Sequence, residues 1–165
     1  MSFLGKVKKK LRNGSWYPFY NTFYEKNNLD PHMILLESRS GKALESNILS
    51  LLKELCQEPY RSFTLVLSVH RDSENEIKEK LQKNSIQGVR FVRTGSVAYY
   101  HALSRAGYLV NDTSFPGRFI KKEGQIYLNT WHGTPLKKMG RDNRPEMVTM
   151  GNVQRNLLDS DYLVF

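Results

Sequence analysis

Residues 33–69 read MILLESRSGKALESNILSLLKELCQEPYRSFTLVLSV, and this stretch decides the fold. It opens on Met33-Ile34-Leu35-Leu36, an apolar run suited to a strand buried on both faces. From Ser46 to Gln57, Ile48, Leu51, Leu52 and Leu55 fall on one face of a helix. Glu58-Pro59 stops that helix, because proline removes a backbone donor and clashes with the preceding turn. A second apolar run, Phe63 to Val69, supplies the next strand. Strand, helix and strand in this order make a parallel crossover unit.

The same alternation continues toward the C-terminus. Glu74 to Asn84 reads as a helix with a mostly charged surface, Val89 to Val92 as a strand, and Val97 to Arg105 as a helix closed at Gly107 or just before it. Tyr108-Leu109-Val110 is a strand. Ser114 to Lys122, with Pro116-Gly117 inside, is irregular or briefly helical. Gln125 to Thr130 is a strand, a helix is expected from near Pro135, another over Val148 to Leu158, and a last strand over Tyr162 to Phe165. Residues 31–165 are therefore expected to form an α/β domain with a doubly wound, mostly parallel, Rossmann-like sheet. The final strand runs to the last residue, and a charged terminus sits badly there, so the polypeptide is expected to have continued.

Residues 1–30 differ from this pattern. Phe3, Leu4, Val7 and Leu11 recur at helical spacing between Lys6, Lys8, Lys9, Lys10 and Arg12, and no acid precedes Glu25. Trp16, Tyr17, Phe19, Tyr20, Phe23 and Tyr24 follow, and Asp30-Pro31 ends the segment. Such a basic amphipathic segment suits an anionic membrane surface, with its aromatic rings near the headgroups. It equally suits a solvated basic helix packing its apolar stripe on the domain.

Composition sets the outer bounds. The 165 residues fit one domain, and 12% aromatic content argues for a folded core. Against 25 Lys and Arg stand 16 Asp and Glu, a net charge of +9 that favours an anionic partner without choosing one. No nucleic-acid motif accompanies the charge, so nucleic acid is not an expected partner. One cysteine, Cys56, rules out an internal disulfide and reads as a small core residue. No apolar run approaches the ~18 residues of a membrane span, and no signal-peptide core follows the basic start, so a cytoplasmic location is expected. His32 and His101 lack partners at metal-ligand spacing, so no metal is expected. His70-Arg71-Asp72 resembles a kinase catalytic loop but has Ile77 where asparagine is needed.

In sheets of this kind, ligands bind beyond the carboxyl ends of the strands. His132 takes that position, directly after the strand Gln125 to Thr130. Gly133 permits a tight turn, Thr134 suits a helix N-cap, and Pro135 suits the first helical position. A helix start there aims free N–H groups at an anion, and Lys137 and Lys138 add positive charge. An imidazole beside a phosphate-friendly helix end suits a general base. The alternative is a strand-to-helix turn holding a structural histidine.

The string Tyr127-Leu128-Asn129-Thr130-Trp131-His132-Gly133-Thr134-Pro135-Leu136-Lys137-Lys138 closely resembles the hallmark of CDP-glycerol glycerophosphotransferases, which build poly(glycerol phosphate) teichoic acids. Similar flanking segments keep the family's order: Leu36-Glu37-Ser38 with Gly41-Lys42 and Ser46-Asn47, Tyr99-Tyr100 before Ala106-Gly107-Tyr108, Asn111-Asp112, and Asp159-Ser160-Asp161-Tyr162. The resemblance runs from about Met33 to Phe165. It implies the first domain of a two-Rossmann, GT-B type transferase with its active site between the domains. It implies transfer of glycerol phosphate from CDP-glycerol to an undecaprenyl-linked teichoic acid acceptor, with release of CMP, at the cytoplasmic face of the bacterial membrane. No cofactor is implied. The family's motif histidine maps to His132, as the base drawing the proton from the attacking hydroxyl. Most donor contacts of the family sit in a second domain with no counterpart here, so the chain is expected to be a fragment or one half of a split enzyme. The rival expectation is a non-catalytic remnant that binds anionic membrane or teichoic polymer.

Glu37, Ser38, Arg39 and Ser40 follow the first strand, and Asn111, Asp112 and Thr113 follow another, all on the ligand side of the sheet. Glu37, Ser38, Asn111 and Asp112 join Gly133, Thr134, Lys137 and Lys138 as the candidate substrate-binding residues, with ordinary loop polarity as the alternative. Arg118, Lys121 and Lys122 read first as a solvated basic face, with contact to acceptor phosphates as the alternative.

Overall fold

The computed structural model describes residues 20–117, 119–132 and 151–164. The stripe from Phe3 to Leu11, Arg118, the motif residues Gly133, Thr134, Lys137 and Lys138, and the helix expected from Pro135 lie outside these residues.

A helical segment at 20–26 (α1) precedes β1 (Asp30–Glu37). There follow α2 (Ser46–Leu55), β2 (Thr64–Val69), α3 (Glu74–Lys83), β3 (Arg90–Arg93), α4 (Val97–Arg105), β4 (Ala106–Asn111), β5 (Ile126–Asn129), α5 (Gly151–Asp159) and β6 (Tyr162–Leu163). The six strands pair in parallel in the order β3-β2-β1-β4-β5-β6. This is the doubly wound order, which reverses direction between β1 and β4.

Each strand alternates its side chains between two apolar layers. Ile34, Leu36, Leu65, Leu67, Val69 and Val110 pack against Ile48, Leu52 and Leu55 of α2 and Ile77 and Leu81 of α3. Leu35, Val66, Leu109 and Tyr127 face the other way, onto Tyr99, Ala102 and Leu103 of α4. Tyr20 joins this second layer, 2% exposed, with its hydroxyl donating to the carbonyl of Ile120 at 2.8 Å. Tyr20 and Tyr24 of the aromatic group thus reach the core from α1. Phe115 and Phe119 enter the same layer from the stretch expected to be irregular.

Element boundaries differ from the sequence pattern where tertiary contact decides them. β1 starts at Asp30 rather than Met33, because Asp30 pairs with Ala106 of β4. α4 closes at Arg105, just before Gly107 as expected, but β4 starts at Ala106 rather than Tyr108 and so takes in Gly107. A Cβ there would stand 2.8 Å from the carbonyl oxygen of Asp30, so the close approach of β1 demands glycine.

Candidate functional site

The carboxyl ends of β1, β4 and β5 stand side by side at the reversal point, where an open parallel sheet forms its crevice. Their register places Glu37 beside Ser68 and Asn111, and Asn111 beside Asn129. These four polar residues occupy one row across four strands, on the face of α4, and all are 1% exposed or less. Directly below them run Val66, Leu35, Leu109 and Tyr127, all apolar or aromatic.

Hydrogen bonds lace the strand tips together. The Ser38 hydroxyl donates to Asp112 Oδ2 at 2.8 Å, and the Arg39 N–H donates to Asp112 Oδ1 at 2.7 Å. Both carboxylate oxygens of Asp112 are thus occupied, and the turn after β4 is tied to the turn after β1. Asn129 ties the turns after β4 and β5. Its Oδ1 accepts from the Trp131 N–H at 2.9 Å, and its Nδ2 donates to the Thr113 carbonyl at 2.9 Å. Asn47, at the start of α2, donates to the Thr130 carbonyl at 3.1 Å. The Tyr127 hydroxyl lies 2.9 Å from Asn111 Oδ1 and 3.3 Å from Asn156 Oδ1 of α5. On the far side the Ser68 and Thr94 hydroxyls pair at 2.8 Å.

His132 caps this framework. Its ring is exposed, stacks on Trp131 at 4.6 Å between centroids, and brings Nδ1 to 2.6 Å from the main-chain oxygen of Asp112. A carbonyl oxygen only accepts, so Nδ1 carries the proton in that contact. In the neutral ring Nε2 is then left with its lone pair, which is the form a general base requires. Trp131 reaches this position through a left-handed backbone, φ 47°, uncommon for a bulky residue and characteristic of functional turns.

Burial divides the candidate residues by role. Glu37, Ser38, Asn111 and Asp112, expected to meet substrate, are at most 3% exposed; Ser38 and Asp112 bond one another, and Asn111 Oδ1 accepts from the Tyr127 hydroxyl. They form the floor and lacing of the site, and His132 is the exposed group above them. Arg39 points to Glu45 at 3.8 Å, while Ser40 meets Thr113 at 3.4 Å. Lys121 pairs with Asp161 at 2.5 Å, and Lys122 bonds the carbonyl of Asn27, so both are engaged within the fold. Asn129, Asn47 and Asn156 were not singled out from sequence as site residues. Asn129 stands inside the quoted motif, and an amide at the last position of an apolar strand was the available signal.

Among the described residues, no group of three or more His, Cys, Asp or Glu side chains is placed to hold a metal ion. Among them, too, no helix is long and apolar enough to cross a membrane.

A family model described as CDP-Glycerol:Poly(glycerophosphate) glycerophosphotransferase matches residues 19–165. The teichoic acid poly(glycerol phosphate) polymerase of Staphylococcus epidermidis is 31% identical over 123 residues, 74% of this chain and 16% of that protein. The teichoic acid glycerol-phosphate transferase of Staphylococcus aureus is 28% identical over 137 residues, 82% of this chain and 33% of that protein. A solved structure of the wall teichoic acid polymerase TagF, a histidine-to-asparagine variant soaked with CDPG, superposes with a TM-score of 0.70 at 25% identity. That superposition covers 99% of this chain and 42% of the TagF chain. The chain therefore spans a third or less of the length of these curated relatives.

Proposed function

The chain belongs to the CDP-glycerol:poly(glycerophosphate) glycerophosphotransferase family, and on that premise we propose that it is the acceptor-side domain of an enzyme that transfers glycerol phosphate from CDP-glycerol to a lipid-linked teichoic acid chain. The acceptor hydroxyl attacks the phosphorus that carries glycerol. The new P–O bond forms, the bond to the bridging oxygen breaks, and CMP leaves. The hydroxyl proton passes to Nε2 of His132. The observation that supports this reading is the 2.6 Å contact between His132 Nδ1 and the Asp112 carbonyl oxygen, which leaves Nε2 as the open basic nitrogen above the strand tips. Phosphoryl transfers depend chiefly on positioning and charge stabilisation, so a ring fixed by a laced turn suits the task. Donor and acceptor contacts are assigned to Gly133, Thr134, Lys137 and Lys138. The expected setting is the cytoplasmic face of the bacterial membrane, held peripherally through the basic segment at 1–30.

The test is His132→Ala in a full-length or reconstituted enzyme supplied with CDP-glycerol and acceptor. CMP release is expected to fall by on the order of 10²–10⁴-fold, with the melting temperature unchanged because the ring is exposed. Undiminished turnover removes the role. The short span relative to relatives favours one second reading, a non-catalytic domain docking on anionic membrane or teichoic polymer. Vesicle flotation with and without residues 1–19, which leaves the buried Tyr20 in place, tests its membrane arm, and equal binding by both forms discards that segment.

A further inference from the structure

We propose that Glu37 is a positioning residue for His132, seated beneath the strand tips as a neutral, protonated carboxylic acid whose ionisation disturbs the turn that orients the imidazole. This rests on the reading of His132 as the working group of the site.

The location carries the inference. Glu37 is 1% exposed and lies in the polar row between Ser68 of β2 and Asn111 of β4. The groups that face it are the Ser68 and Tyr99 hydroxyls from β2 and α4, with Tyr100 and Tyr20 beyond Tyr99. From β4 and β5 come Asn111, Asp112 and Tyr127. None of these is a cation. None of the ion pairs among the described residues includes Glu37, and neighbouring Arg39 is turned to Glu45. A buried carboxylate without a counter-charge is too costly to persist and takes up a proton instead.

Two acids share the strand tips, and their surroundings separate their roles. Asp112 receives a donor on each oxygen, from Ser38 and from the Arg39 N–H. Glu37 Oε2 and Asn111 Nδ2 have no hydrogen-bond partner, and the groups set on the Glu37 carboxyl are the Ser68 and Tyr99 hydroxyls. Burial pushes the Glu37 carboxyl up to about 7, the Ser68 and Tyr99 hydroxyls oppose the shift, and the Asp112 carboxylate adds to it. Of two neighbouring acids, the one buried without a donor on each oxygen is the one that holds its proton.

The route to His132 is short. Glu37 precedes Ser38, the Ser38 hydroxyl holds Asp112, and the Asp112 main-chain oxygen holds His132 Nδ1. When the Glu37 proton leaves to solvent, a second negative charge appears beside Asp112 in a site with little water to screen it. The repulsion acts on the residue whose carbonyl orients the ring.

The test follows carboxyl and imidazole resonances by NMR in the whole 165-residue chain, carbon-13 labelled at glutamate and histidine, between about pH 5 and pH 9. Glu37 is expected to titrate near 7, and the His132 ring to show a second inflection at that same pH. Glu37→Gln is expected to abolish the second inflection and keep the ring's own titration. An ordinary glutamate titration for Glu37 in the unaltered chain overturns the proposal, whether or not Glu37→Gln folds. So does a His132 titration with a single inflection, or one identical in the two proteins. The readout needs no turnover, so loss of the catalytic role of His132 is a separate outcome, seen only in the CMP assay.

Discussion

The imidazole of His132 is held by the main chain of Asp112, 2.6 Å from Nδ1 to the carbonyl oxygen, so the ring is aimed by the turn that follows β4. That turn is itself held by the Asp112 side chain through Ser38 and Arg39. Asp112→Ala is expected to strand both donors, at about 1–3 kcal/mol of stability. Slack in the turn is expected to lower kcat for CMP release by on the order of 10²-fold with little change in KM. Asp112→Asn keeps one acceptor oxygen and is expected to fall between. Urea denaturation and steady-state kinetics on the full-length enzyme measure the two effects.

Asn129 joins two turns with one amide, accepting from Trp131 and donating to Thr113. Asn129→Asp preserves the first bond and sets a carboxylate oxygen against the Thr113 carbonyl. Both Asn129→Asp and Asn129→Ala are expected to cost roughly 1–3 kcal/mol. In Asn129→Ala activity should drop further than stability explains, because there Trp131 loses the anchor of its left-handed backbone. Equal stability in all three proteins by chemical denaturation would contradict this.

Gly41 adopts φ 77° in the turn after β1, and a Cβ there would lie 2.8 Å from the backbone nitrogen of His70. Gly88 has the same φ with open space around it. Gly41→Ala is expected to cost about 2–4 kcal/mol, and Gly88→Ala about 1 kcal/mol for the backbone alone. Thermal unfolding of the pair separates the clash from the strain.

Asp161 joins α5 to β6, accepting from the Tyr127 N–H at 2.7 Å and pairing with Lys121. Burial pushes its carboxyl up, but the Lys121 ammonium and the Tyr127 N–H outweigh burial and hold it below the usual range. A lowered native pKa contributes stability above the unfolded value, and that contribution is lost as pH falls through the native one. The melting-temperature gap between the native chain and Asp161→Asn should therefore be constant near neutrality and close below about pH 4. A gap that widens on acidification would refute the pairing.

Much of the sheet was legible because apolar periodicity is a strong local signal. Residues 33–69 gave strand, helix and strand with ends displaced by no more than a few positions. Asp30 to His32 escaped because their strand character comes from pairing with β4, not from their own side chains. Phe115 and Phe119 escaped because a segment without period gives no face to assign. His132 was placed at the strand tips by the rule for parallel sheets. The burial of Glu37, Asn111 and Asn129 was hidden, since polar strand ends ordinarily meet water and only tertiary packing keeps it away.

The single polar row also works as an alignment key. A strand that slipped by two residues would keep its leucines on the correct side, and hydrophobicity alone would barely object. It would also drag an amide or a carboxyl down among Val66, Leu35, Leu109 and the Tyr127 ring, whose apolar atoms offer it no hydrogen bond. Four neighbouring strands carry one such tooth each at the same height, so misregistered pairings are penalised in every adjacent pair, and the level of the strand tips is set before any ligand arrives.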